Sequence, residues 1–329
     1  MGRVVWGCLG PAARYVPDRG TGSDPLLARA QLAAQPATYG VCTMRLPTRS
    51  GCLAPAVTFW PRGVLVRRIL VTLVLIATML PFGTGTASAA SITIAAAGDI
   101  ARASFGTPQQ QTANLITAYA PDAVFALGDT QYENGSLSDF RTYYDASWGA
   151  FKNKTYAIPG NHEYGTSGAS GFFSYFGSGS AFPVSPPGYY SLNLGDWHIA
   201  FLNTECKQID CSAEKSWLVN DLSGDTHTCD MVVYHRTNLK WARVKSSSLG
   251  VDVALAASRH VYERWPADNG LTRFTVGTGG FSLGTLSSGF DAGFRSFGVI
   301  EMTLNASNYS WAFVDVSGRT LDSGSRACH

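Results

Sequence analysis

From residue 92 to the C-terminus, short apolar runs alternate with stretches whose apolar positions recur at helical spacing. Residues 92–97 form an apolar run closed by Gly98-Asp99, residues 109–119 carry helical spacing, and residues 123–127 form a second run closed by Gly128-Asp129. A helix is expected over 137–151, followed by a strand over 156–158 that ends in Pro159-Gly160-Asn161-His162. This βαβαβ order predicts a largely parallel sheet.

The second half changes pattern. Residues 189–194 and 197–203 flank Gly195-Asp196, a hairpin signal. A helix is expected over 213–222, buried strands over 231–234 and 251–256, and antiparallel strands over 274–277, 299–304 and 309–316. No internal repeat interrupts this order, so residues 90–329 are read as one domain of two packed sheets with helices outside.

The upstream segment reads differently. Residues 1–63 are rich in Pro, Gly, Ala and Arg and show neither period. Arg62, Arg67 and Arg68 then precede an apolar run over 69–82 and the small residues Thr86, Ala87, Ser88, Ala89 and Ala90, the three-part grammar of a secretory signal. That run of about 14 residues falls short of the ~20 needed to span a bilayer, so no stable membrane anchor is expected after cleavage. The signal is placed at 64–89, with the mature chain starting at Ala90. Two readings of residues 1–63 stay open: a translation start near Val64 or Met44, or a disordered leader.

Export changes what the cysteines mean. Cys206, Cys211, Cys229 and Cys328 remain after cleavage, and an oxidising compartment favours disulfides, for which four cysteines allow three connectivities. Nearness in sequence favours Cys206 with Cys211, which leaves Cys229 for Cys328. With a net charge of +2 and only 15% charged residues, the chain lacks the basic surface that nucleic-acid binding requires, and a small substrate is expected.

Polar clusters follow the apolar runs: Asp99, Asp129 with Tyr132, Asn161 with His162, and His235. In open α/β sheets ligands bind beyond the carboxyl ends of strands, so groups far apart in sequence can converge there. Taken singly, Gly-Asp and Gly-Asn are ordinary turn pairs; their recurrence at strand ends is the signal. Carboxylate, amide, phenol and imidazole groups suit metals such as Fe, Zn or Mn, and a pair of such ions can activate water and neutralise a phosphoryl group.

These blocks resemble those of calcineurin-like metallophosphoesterases: GDI at 98–100, GDTQY at 128–132, GNHE at 160–163, the strand-end His of VVYH at 232–235, and RHVYER at 259–264. The Gly-Asp-x-x-Tyr form is similar to the purple acid phosphatase branch, and ALGDTQYENG and PGNHEYGT look like secreted bacterial members. The resemblance implies a four-layer α/β/β/α sandwich of two mixed sheets flanked by helices. It implies a secreted phosphoesterase that hydrolyses a small phosphate ester through water activated by two divalent or trivalent metal ions. Asp99, Asp129, Tyr132 and His260 would hold the first metal, and Asp129 would bridge to a second held by Asn161 and His235. The catalytic positions carried over are His162, which would hydrogen-bond the phosphate or leaving oxygen, and Glu163, which would orient the ligands.

One departure matters. The family's last block is Gly-His-x-His, and here Ala257-Ser258-Arg259-His260 puts a hydroxyl where the second metal expects an imidazole. The second metal is therefore expected to bind weakly, with Arg236 and Arg259 as fixed cations on the substrate phosphate. The alternative is a degenerate secreted protein that binds a phosphate ligand with little or no turnover. His198 and His227 are read as structural, and the glycine-rich run at 277–284 as a loop beside the site.

Overall fold

The computed structural model describes residues 90–103, 107–238, 242 and 246–329. All of them belong to one compact unit, Leu80–His329. The expected leader, signal peptide and cleavage site fall on residues 1–89, outside the described residues.

The first half follows the apolar runs: β1 (Ile92–Ala97), α1 (Thr107–Tyr119), β2 (Ala123–Ala126), α2 (Leu137–Asp139), β3 (Thr155–Ala157) and α3 (Ser170–Phe176). The second half contains β4 (Tyr190–Leu194), β5 (Trp197–Phe201), α4 (Cys211–Gly224), β6 (Cys229–Arg236), β7 (Val253–Ala257), β8 (Tyr262–Asp268) and β9 (Leu271–Val276). The chain closes with β10 (Ala292–Phe294), β11 (Gly298–Leu304), β12 (Asn308–Asp315) and β13 (Thr320–Ala327).

Two mixed sheets result. The six-stranded sheet runs β13-β12-β11-β1-β2-β3 and the seven-stranded sheet β10-β8-β9-β7-β6-β5-β4. β1, β2 and β3 pair in parallel, as do β5, β6, β7 and β9. Why β5 to β7 read as unbroken apolar runs is clear from their two faces. Ile199, Phe201, Met231, Val233, Val253 and Leu255 join the core between the sheets, while Ala200, Val232, Ala254 and Ala256 pack with Leu218 and Leu222 of α4. A strand covered on both sides leaves no polar face to alternate with. On the other sheet, Ala113 and Ile116 of α1 join the main core, which completes the α/β/β/α layering.

Two expectations are corrected. The helix expected over 137–151 breaks into α2, a π turn at Phe140–Tyr144 and a 3₁₀ segment at Trp148–Lys154. Phe140, Tyr144 and Trp148 are fully buried at spacings of four, which produces the helical pattern; Asp145 and Ser147 between them and Gly149 just after them are weak helix formers. The strand expected over 274–277 starts at Leu271 and pairs in parallel with β7 and antiparallel with β8, so it is not a purely antiparallel element. β8 and β13 escaped the pattern: β8 carries Pro266 and charges, and β13 is an exposed polar edge strand. Arg264 of β8 reaches across to Asp322 of β13 at 2.9 Å.

Both expected disulfides form. Cys206–Cys211 closes the turn into α4, and Cys229–Cys328 ties the C-terminal tail to the start of β6 across 99 residues. Among the described residues no helix is long and apolar enough to cross a membrane.

Candidate metal centre

The parallel strands bring their carboxyl ends to one place. Asp99 follows β1, Asp129 follows β2, Asn161 and His162 follow β3, His235 ends β6, and Ser258 and His260 follow β7. Asp99, Asp129, Ser258 and His260 all take positive φ, at 57°, 46°, 64° and 57°. Side chains rarely occupy that region unless the surroundings enforce it, and such strain gathers at functional sites. The backbone crowds in as well: a side chain on Gly160 would collide with the Asp129 carboxylate, and one on Gly128 with the His235 ring.

One group of donors is tightly convergent. The buried Tyr132 hydroxyl lies 2.5 Å from Asp99 Oδ1, 3.1 Å from Asp129 Oδ2 and 3.3 Å from His260 Nε2. His260 Nε2 is in turn 3.2 Å from Asp99 Oδ1. Its other nitrogen, Nδ1, is held by Ser282 Oγ at 2.6 Å, and Phe281 stacks on the Tyr132 ring at 3.5 Å. Phe281 and Ser282 belong to the glycine-rich run expected beside the site, although their contacts were invisible in the pattern.

Asp129 Oδ2 also faces a second group. His235 Nε2 lies 3.1 Å away, is fully buried, and has no aligned hydrogen-bond partner. Its Nδ1 is 2.8 Å from the Leu127 carbonyl, which can only accept, so in the neutral ring Nε2 carries the lone pair. That orphaned, pre-aimed nitrogen beside two buried carboxylates is how a metal ligand is held, with the rear nitrogen tied to a carbonyl. Ligand atoms of Asp99, Asp129 and His235 lie within 4.8 Å of one another. Burial opposes the charge on His235, but Asp129 lifts its pKa to about 10; burial also works against Asp129, which His235 holds down at about 2. Burial first, then the charges of Asp99 and Asp129, push the Tyr132 phenol far up, a direction that a bound cation would reverse. The oxygen and imidazole donors thus fit a transition-metal pair.

The remaining candidates divide. His162 donates its backbone N–H to Asp129 Oδ1 at 2.8 Å and binds the Glu133 carbonyl through Nδ1, and its Nε2 has no partner among the described residues. The Asn161 side chain is half-buried on the same loop and has no partner among the described residues. Glu163 faces away from substrate space. Its buried carboxylate accepts the backbone N–H groups of Asp129, Thr130, Gln131 and Gly160 at 2.7 to 3.1 Å, so it clamps the two ligand loops together.

The two arginines have protein partners. Arg236 forks onto Glu205, Nε to Oε1 at 2.7 Å and Nη2 to Oε2 at 3.0 Å, so its charge is already neutralised. Sequence gave no hint of this partner. Arg259 reaches the Thr285 carbonyl and lines a cavity of about 220 Å³ with Tyr234 and Ala256, which pack on the outer face of the second sheet. Ser258 donates its backbone N–H to Asp99 Oδ2 at 2.9 Å, while its Oγ lies 3.4 Å from the Thr237 amide, two residues beyond His235.

Solved structures with this fold include a purple acid phosphatase from yellow lupin seeds, with a TM-score of 0.59, 17% identity, and coverage of 73% of this chain and 54% of that one. The present chain thus spans about half of the lupin enzyme. GAP50, the anchor in the inner membrane complex of Plasmodium, superposes at 0.56 with 14% identity over 73% of this chain and 89% of that one. A dimetal phosphatase from Danio rerio superposes at 0.52 with 13% identity over 72% and 99%. At these identities the likeness shows a shared fold. No curated protein matches in sequence. The calcineurin-like phosphoesterase pattern matches residues 92–268, more than half of the chain and every strand end described above, and the chain therefore belongs to that family.

Proposed function

We propose that the protein is a secreted, metal-dependent phosphoesterase acting on small phosphate esters, with a well-built first metal position and a weaker second. The observation that carries this reading is the buried His235 Nε2, aimed without a hydrogen-bond partner at Asp129, a carboxylate shared with the Tyr132 and His260 group. Bound metal ions would supply a nucleophile at neutral pH and neutralise charge on the phosphoryl oxygens. Asp99, Asp129, Tyr132 and His260 would hold the first ion; Asp129, His235 and Asn161 the second.

The chain's own groups do the rest. His162, with Nδ1 anchored on Glu133, offers Nε2 to a phosphate oxygen or to the leaving oxygen. Glu163 acts as a positioning residue by fixing the loops of Asp129 and His162. Export is supported by the two disulfides, which persist in oxidising compartments.

Ser258 favours one competing reading, a protein that keeps the fold and binds phosphate ligands without turnover. Hydrolysis of an aryl phosphate, measured against added Zn²⁺, Mn²⁺ or Fe³⁺, separates the two. Metal-dependent hydrolysis that disappears in Asp129→Asn supports the enzyme. Phosphate binding without hydrolysis at any metal level supports the competitor.

A further inference from the structure

His198 and His227, expected to be merely structural, meet at the amino-terminal ends of β5 and β6, the far end of β6 from His235. His198 is buried on β5, next to Ala200's side of the strand and beneath α4, whose Asp221 Oδ2 binds its Nε2 at 2.8 Å. Asp225, at the carboxyl end of α4, places Oδ1 2.7 Å from His227 Nδ1 and 3.7 Å from His198 Nδ1. A nitrogen from each ring and the Asp225 oxygen lie within 4.8 Å of one another. Asp230, in register with His198 on the adjoining strand, has a buried Oδ1 without a hydrogen-bond partner.

We infer that His198, Asp225 and His227 form a second cation site, independent of the phosphoesterase centre, which takes one divalent transition-metal ion of the zinc class. Three features support this. Tetrahedral zinc with bonds of about 2.0–2.1 Å sets its ligands about 3.3–3.5 Å apart, and the two contacts of Asp225 bracket that spacing. His198 binds Asp221 through Nε2, the carboxylate–histidine arrangement that orients a metal-bound imidazole, and its Nδ1, 2.8 Å from Asn193 Oδ1, would exchange that contact for the ion. Asp221 and Asp225 also concentrate negative charge at a helix carboxyl end, where the dipole already favours a cation. Paired imidazoles select zinc-like ions over Ca²⁺ or Mg²⁺. The ion would pin the end of α4 to the sheet.

The test uses zinc alone, on the full chain carrying Asp129→Asn and His235→Ala to disable the phosphoesterase centre. This protein should retain one zinc after dialysis, and added zinc should raise its melting temperature. His198 is buried, so His198→Ala risks unfolding; His227, with a side chain 25% exposed, carries the test. Adding His227→Ala should weaken zinc binding by more than about 10-fold and abolish the thermal shift while leaving the zinc-free melting temperature near its parent. Either no retained zinc in the parent or zinc binding unchanged by His227→Ala would overturn the inference, whatever the protein hydrolyses.

Discussion

The two halves of the metal centre share Asp129 and differ in completeness. On one side Tyr132, Asp99 and His260 crowd within 3.3 Å, with His260 braced from behind by Ser282. On the other, His235 is braced as firmly by Leu127, and Ser258, after the paired strand β7, turns its hydroxyl toward the Thr237 amide. Under the proposed assignment, the difference shows a ligand lost without loss of geometry. Strand ends are positioned by the core between the sheets, so a single substitution leaves the other donors in place.

The largest effect should come from the shared ligand. Asp129→Asn is expected to lower hydrolysis by more than about 100-fold and to weaken both metals, since even outer-sphere partners of metal ligands cost 10- to 100-fold. Retention of either metal at wild-type affinity, read by equilibrium dialysis, would show that Asp129 is not shared. Next, His260→Ala should release the tighter ion and His235→Ala only the weaker one, each with about a 10-fold or greater fall in rate. If both variants lose the same ion, the two halves are one site. A smaller gain is expected from Ser258→His, which supplies the missing imidazole at a φ of 64°, a region histidine tolerates better than most residues. Second-metal affinity should rise about tenfold and the rate several-fold; no change in either would remove Ser258 from the ligand position.

A change outside both halves should alter stability alone. Burial raises the carboxyl of Glu214 from its usual 4.5 to about 8, although its Oε1 accepts the Asn203 amide at 2.6 Å. The folded state therefore holds a proton that the unfolded chain releases near pH 4.5, and stability falls as pH rises through the window up to about 8. Glu214→Gln should flatten that slope in urea melts at pH 5 and pH 8 and leave metal content untouched.

Much of this centre was legible because turn pairs close apolar runs. Asp99, Asp129, Asn161 and His162 sit directly after strands that burial makes unbroken in hydropathy. What stayed hidden depends on contacts across long sequence separations. Arg236 finds Glu205 thirty-one residues away, and Ser282 reaches His260 across twenty-two. The meeting of His198 and His227 required knowing that α4 folds over β5. In the fold, β13 was missed because a polar edge strand buries too little to leave a periodic signature.

The most direct test of the account is a metal titration of aryl-phosphate hydrolysis, performed on the His227→Ala background so that the remote cluster does not add to the count. The account predicts one tightly bound ion per chain, a second that fills only with excess metal, hydrolysis that rises with the second, and loss of all three in Asp129→Asn. Two tight ions with no dependence on added metal would contradict the weakened second half. Hydrolysis that survives Asp129→Asn would contradict the centre itself.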